Sequence, residues 1–325
     1  MERREVIIVG GGPAGASAAG ELVRSGVDCL VLDRETFPRE KLCAGWITPE
    51  VVDDLGIDPA KYPHRFLTFD VLDIAIKRLH VPLRSPQHSI RRYEFDAWLL
   101  ERSGAEVRQH NVREVVADED GYLLDGSLRC RYLIGAGGTR CPVFRDLFRP
   151  ERPRDKALQA VTLEQEFAYD WADERCHLWF LDGGLPGYAW YVPKADGYLN
   201  VGVGGMADKL KRKGDDVHRH WRRLVARLEE DGLVRGGVLP DKPGGYSYFL
   251  RDRADRPRQG NAFVVGDAAG LATRDMCEGI GPAVRSGLLA ARAIAAGDDY
   301  QLDSVGAYTS SNRLIRKGLE YMYLS

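Results

Sequence analysis

The chain has 325 residues, 44% of them hydrophobic, enough to bury one large core or two ordinary ones. Its 46 basic and 48 acidic residues are interspersed, and a formal net charge of -2 leaves no electrostatic footprint for nucleic acid. No stretch has the roughly 18 uncharged apolar residues of a membrane span, and the run Val6 to Val9 is too short for a signal peptide, so the chain reads as cytoplasmic.

The first element is a buried strand, Glu5 to Val9, that enters Gly10-x-Gly12-x-x-Gly15 and then a helix, Pro13 to Ser25. Gly10 permits the tight turn, Gly12 lets the backbone approach a pyrophosphate, and Gly15 allows close helix–strand packing. Pro13 and Ala14 open the helix, whose N-terminal N–H groups suit phosphate. A second strand, Cys29 to Leu32, ends at Asp33, roughly twenty residues on, where a carboxylate can accept the hydroxyls of an adenosine ribose, with Arg34 beside it. A glycine-rich turn without a ligand is the plainer reading, but strand, helix, second strand and acid are all in place. This fingerprint does not separate NAD from FAD.

Next comes Phe37-Pro38-Arg39-Glu40-Lys41-Leu42-Cys43-Ala44-Gly45. Thr68 to Leu83 alternates like a strand pair, and Arg92-Tyr93-Glu94-Phe95-Asp96 looks like a helix start. Ala157 to Val203 holds several strand-like runs separated by Gly183-Gly184, Pro186-Gly187 and Asp196-Gly197, which suggests an antiparallel sheet. Within it Tyr188 and Trp190 share one face; they line an apolar pocket or pack the sheet's own core. Val217, Trp221, Leu224, Val225 and Leu228 form one face of a covering helix, with His218, His220 and nearby arginines expected on a solvated face. The six cysteines contain no C-x-x-C pair and read as reduced residues, mostly in the core.

The far end favours a flavin. A strand, Asn261 to Val265, runs into Gly266-Asp267-Ala268-Ala269-Gly270, then a loop, then Glu278-Gly279-Ile280-Gly281-Pro282 at the start of a helix reaching about Ala296. Asp267 can bind a ribityl hydroxyl. The helix N-terminus at Gly279, Ile280 and Gly281 can aim its dipole at the N1 and C2 edge of an isoalloxazine, where reduced flavin carries negative charge. Ser304 to Tyr323 reads as a final helix.

Taken in order, these segments resemble the geranylgeranyl reductase family of FAD-dependent oxidoreductases, within the hydroxylase-like FAD superfamily, over nearly the whole chain. The segment 37–45 resembles that family's F-P-R-x-K-x-C, residues 92–96 its R-x-x-F-D, and Pro186 to Lys194 its P-x-x-Y-x-W-x-F-P-K. The resemblance implies that Cys43 and Ala44 lie beside the isoalloxazine and that Arg92 reaches the FAD. It also makes Cys43 a candidate proton donor, against the plainer reading of an inert buried thiol. The implied fold is α/β: a Rossmann-like FAD-binding domain of the glutathione-reductase type at residues 1–65, 90–152 and 253–325, with an inserted antiparallel-sheet substrate domain at 66–89 and 153–252.

Three departures stand beside the match. Gly137 and Cys141 replace the aspartate and serine of the hydroxylases' G-A-D-G-x-x-S, the loop Leu271 to Cys277 lacks the usual proline and glycine, and many family reductases continue further. The function expected is therefore an FAD-dependent oxidoreductase acting on an apolar or aromatic substrate, with reduction of an isoprenoid carbon–carbon double bond as the reaction implied. The FAD is expected to be noncovalent and to draw electrons from an external donor such as NAD(P)H. A flavin-dependent monooxygenase or halogenase and a non-catalytic prenyl-binding protein are the alternatives. The sequence shows no metal-ligand pattern, and it leaves the oligomeric state open; contact with a membrane surface follows only if the substrate is a lipid.

Overall fold

Residues 6–9 and 30–32 are apolar without alternation, the signature of parallel strands covered on both faces. In the computed structural model, which describes residues 1–76, 79–252, 256–309 and 313–324, they form the middle of a largely parallel sheet. Elements are numbered along the chain.

The chain divides into two units, the first comprising Met1–Arg39, Tyr93–Asp155 and Tyr248–Asn312. Its sheet places β1 (Glu2–Val9) between β2 (Cys29–Asp33) and β9 (Leu128–Gly135), with β6 (Glu106–Gln109) beyond β2 and β16 (Ala262–Val264) beyond β9, all parallel. The antiparallel pieces β7 (Val115–Asp118), β8 (Gly121–Leu124) and β15 (Arg258–Gln259) complete it. Helix α1 (Pro13–Arg24) joins β1 to β2 in a βαβ crossover. Its buried side is made of small residues, Ala14 to Gly20, so helix and sheet approach closely. Helices α3 (Arg92–Arg102) and α6 (Ile280–Ala296) also belong to this fold.

The second unit comprises Glu40–Arg92, Lys156–Ser247 and Arg313–Ser325, so residues 40–65 fall within it. Its sheet runs β14 (Gly244–Phe249), β10 (Gln159–Ala168), β13 (Tyr198–Met206), β12 (Gly187–Lys194), β11 (Cys176–Phe180), β4 (Leu67–Ile76), β5 (Leu79–Ser89) and β3 (Trp46–Ile47). The antiparallel pattern is interrupted between β4 and β11, which pair in parallel, a junction of distant segments that no local pattern encodes. One face is packed by α5 (Val217–Glu230), whose Trp221, Leu224 and Leu228 meet Tyr191, Val201 and Val203. Short helices α2 (Pro49–Asp54) and α4 (Ala207–Arg212) and the C-terminal α7 (Arg313–Leu324) complete the unit.

Two expectations are corrected. His220 is not on a solvated face: it is 4% exposed, because its Nε2 lies 2.9 Å from Asp215 Oδ2 just ahead of α5. The final helix starts at Arg313 rather than Ser304, because the preceding backbone is used elsewhere: Ala307 O accepts from Arg274 N, and Thr309 N donates to Asp275 Oδ1.

Candidate functional site

In the first unit, β1 ends in Gly10 with a φ of +113°, where a Cβ would meet Ala136 O at 2.4 Å. At Gly15 a Cβ would lie 1.9 Å from Gly10 O, so only glycine lets α1 start against this turn. Gly12 caps α1 without a side chain and Pro13 occupies its first turn, leaving the first helical N–H groups without intrahelical acceptors. Asp33, at the end of β2, accepts from Gly11 N at 2.7 Å and Glu35 N at 3.0 Å, which pins its carboxylate beside the glycine turn. Arg34 is exposed beside Glu35.

Arg39, quoted in the sequence only as part of a motif, belongs to the same cradle. Its Nη2 lies 3.1 Å from the fully buried Asp96 Oδ2 and 3.5 Å from where a Gly12 Cβ would stand. Its Nη1 is buried and has no hydrogen-bond partner among the described residues. A half-satisfied buried guanidinium next to a bare helix N-terminus has the donors an anion needs, and the glycines give the clearance a pyrophosphate needs. These residues fit a dinucleotide.

The distal motif folds onto this cradle. Gly266, with a φ of +55°, leaves β16 in a tight turn whose N–H donates to Ser286 Oγ at 3.0 Å, and its Cβ position is 3.3 Å from Ala14 Cβ. Asp267 follows in that turn, and Gly279 caps α6 with its Cβ position 3.5 Å from Asp267 Oδ1. Ile280 begins α6 and is buried, and Gly281 N donates to Glu278 Oε1. A Cβ on Gly287 would come within 2.2 Å of Ala14 O, so α1 and α6 are in backbone contact. The structure thus brings together Gly10, Gly12, Pro13, Ala14, Gly15, Asp33, Gly266, Asp267, Gly279, Ile280 and Gly281. The substituted loop 137–141 backs the turn: a Gly137 Cβ would be 3.2 Å from Cys141 Cα, and burial pushes the Cys141 thiol up. The reshaped loop before α6 holds Cys277, pushed up to about 12 by desolvation. Arg92, the first residue of α3, is buried.

In the second unit, Cys43 is partly buried, with Gly45 N 3.4 Å from its Sγ. Two side chains hold its segment to the sheet. Asn200 Nδ2 donates to Cys43 O at 3.2 Å, and the fully buried Lys194 Nζ donates to Ala44 O at 2.6 Å and Ile90 O at 2.7 Å. Burial lowers the Lys194 pKa, while Glu166 at 3.9 Å favours its charge. Tyr188 and Trp190 lie on one sheet face with ring centroids 5.8 Å apart, and Phe180 stacks on Tyr188 at 5.0 Å. Sequence reasoning missed Asn200 and Glu164, and read Lys194 only as a motif letter.

Residues 3–64 match the model of the FAD binding domain family. The chain is 30% identical over 325 residues to the menaquinone reductase of Mycobacterium tuberculosis (strain ATCC 25618 / H37Rv), covering 88% of this chain and 75% of that one. It is 28% identical to the geranylgeranyl diphosphate reductase of Synechocystis, covering 90% and 75%. Among solved structures, the geranylgeranyl bacteriochlorophyll reductase-like protein of Thermoplasma acidophilum superposes with a TM-score of 0.77 at 18% identity, covering 99% of this chain and 83% of that one. A flavin-dependent halogenase shares the fold, with a TM-score of 0.72 at 22% identity over 99% of this chain and 63% of its own. No helix among the described residues is long and apolar enough to cross a membrane. With a dinucleotide cradle at both ends of the first unit and reductases matching across its length, the chain is an FAD-dependent oxidoreductase and belongs to the geranylgeranyl reductase family.

Proposed function

We propose that the enzyme reduces a carbon–carbon double bond of an apolar isoprenoid or isoprenoid-bearing quinone, using noncovalent FAD and an external donor such as NAD(P)H, in the cytoplasm. The observation that carries this reading is the tie between the Cys43 segment and the strand bearing Tyr188 and Trp190, made by Lys194 and Asn200 within one unit. The names of the matched reductases support the substrate class. Bound FAD supplies the hydride. The first unit's role in this reading is to hold the cofactor: Asp33, with Arg34 beside it, at the adenosine ribose, Gly10 to Gly15 with Arg39 at the pyrophosphate, and Asp267 with Gly279 to Gly281 at the flavin half. Cys43 gives its thiol proton to the second carbon, so that one hydride and one proton saturate the bond. Tyr188 and Trp190 line the apolar pocket.

Anaerobic reduction of the flavin followed by addition of geranylgeranyl diphosphate or menaquinone tests the reading. Flavin reoxidation is expected, with a product that stays heavier by two hydrogens after air has returned any quinol to the quinone. In a parallel run with air and halide admitted, a product that gains oxygen or halogen assigns the oxygenase or halogenase chemistry instead, and anaerobic reoxidation by neither substrate overturns the proposal.

A further inference from the structure

The sheet face opposite α5 carries three cross-strand rows: Thr162–Gly204–Tyr188, Glu164–Gly202–Trp190 and Glu166–Asn200–Val192. The middle row is arranged around a missing side chain. A Cβ on Gly202 would come within 2.2 Å of Trp190 Cζ2 and 2.8 Å of Glu164 Cβ, so the indole and the glutamate stem meet over it. Trp190 Nε1 donates to Asn200 Oδ1 at 2.7 Å, which fixes the amide. Asn200 Nδ2 then faces two acceptors, Cys43 O at 3.2 Å and Glu164 Oε2 at 3.4 Å.

We propose that Glu164 is a titratable positioning residue for the Cys43 segment, acting through the Asn200 amide that both share. Glu164 is 2% exposed, and Asn200 is its one hydrogen-bond donor among the described residues. A single neutral donor compensates a buried carboxylate poorly. Lys41 and Lys194 favour its charge, Glu166 on the same strand opposes it while paired with Arg91 at 3.0 Å, Cys43 shares the Asn200 amide with it, and the Tyr246 ring lies under the Lys41 ammonium. Burial outweighs the lysines and pushes Glu164 up to about 7. While protonated, Glu164 leaves Nδ2 to the Cys43 carbonyl. Once ionised, it draws the amide into a charge-assisted bond at the expense of the Cys43 carbonyl and places a negative charge on the far side of that amide.

The inference rests on the proposed reading only in taking Cys43 as a functional thiol, and its test does not use turnover. In the holoenzyme, alkylation of Cys43 by iodoacetamide is followed by peptide mass spectrometry from about pH 5.5 to 9, which brackets the Glu164 ionisation. The wild-type rate is expected to show a second inflection near 7, beyond that of the thiol. Glu164→Gln is expected to show the thiol's ionisation alone and to react about three- to tenfold faster than wild type at alkaline pH. Asn200→Ser, which keeps the carboxyl but cuts the link, is expected to blunt the inflection. A wild-type profile with one ionisation overturns the proposal whether or not either variant folds, as does one that superimposes on Glu164→Gln. An intact inflection in a protein that reduces no isoprenoid leaves Glu164's role standing and overturns the reading of function instead.

Discussion

Asp33 uses both carboxylate oxygens on the backbone of the turn, yet each oxygen keeps lone pairs for a ribose hydroxyl. Asp33→Ala is therefore expected to weaken FAD by about 1–3 kcal/mol in an equilibrium titration of the apoprotein, and an unchanged affinity would remove Asp33 from the site. Arg39 makes a sharper case, because it has two possible duties. Arg39→Met removes a cationic partner of the fully buried Asp96 and is expected to lower thermal stability, while the double variant Arg39→Met/Asp96→Asn recovers much of that loss. FAD affinity should stay low in both, since the unpaired Nη1 is gone; recovery of affinity along with stability would show that Arg39 serves Asp96 alone. For Cys43, Cys43→Ser is expected to keep FAD and slow substrate-dependent reoxidation by about one to two orders of magnitude. Full rates in both Cys43→Ser and Cys43→Ala would leave the thiol as packing.

At the scale of elements, the contact between α1 and α6 joins the two glycine motifs that form the halves of the proposed cofactor site. Gly287→Ala puts a methyl where Ala14 O already stands, so the helices must separate. The expected result is a loss of about 1–3 kcal/mol in denaturant unfolding together with faster FAD loss on dilution; an unperturbed variant would mean the contact is slack. These elements were legible in the sequence because their glycines do backbone work: α1 was expected from Pro13 and begins there, and α6 was expected to reach about Ala296 and ends there. Elements fixed by distant partners were not. The parallel pairing of β4 with β11 has no local signal, and residues 304–309 carry a helical pattern yet give backbone groups to the loop at 274–275. Glu164 was missed for a related reason. Thr162, Glu164 and Glu166 alternate with apolar neighbours such as Val161 and Leu163, and a polar face on a strand reads as solvent-facing until Trp190 and Asn200 arrive from elsewhere in the chain.

At the scale of the whole molecule, each unit is assembled from three separate chain segments, so neither exists in a contiguous fragment and stability has to be measured on the full chain. The buried Glu164 then writes itself into the pH dependence of unfolding. Its ordinary value is 4.5 and its folded value is raised to about 7 by desolvation. Below the lower value both states hold the proton and the residue contributes no slope. Between the two, the unfolded chain releases the proton while the folded chain keeps it, so the folded state binds more protons and stability falls as pH rises. Above the folded value the loss is complete and the slope vanishes. Glu164→Gln has no proton to release, so its stability relative to wild type is expected to improve between pH 5 and pH 8, by on the order of 3 kcal/mol at most. Urea unfolding of both proteins across that range measures the difference. A constant difference across that range would show that Glu164 is already ionised in the folded state by pH 5, and a difference that shrinks as pH rises toward 5 from below would reverse the assigned sign, making the lysines rather than burial the dominant neighbours.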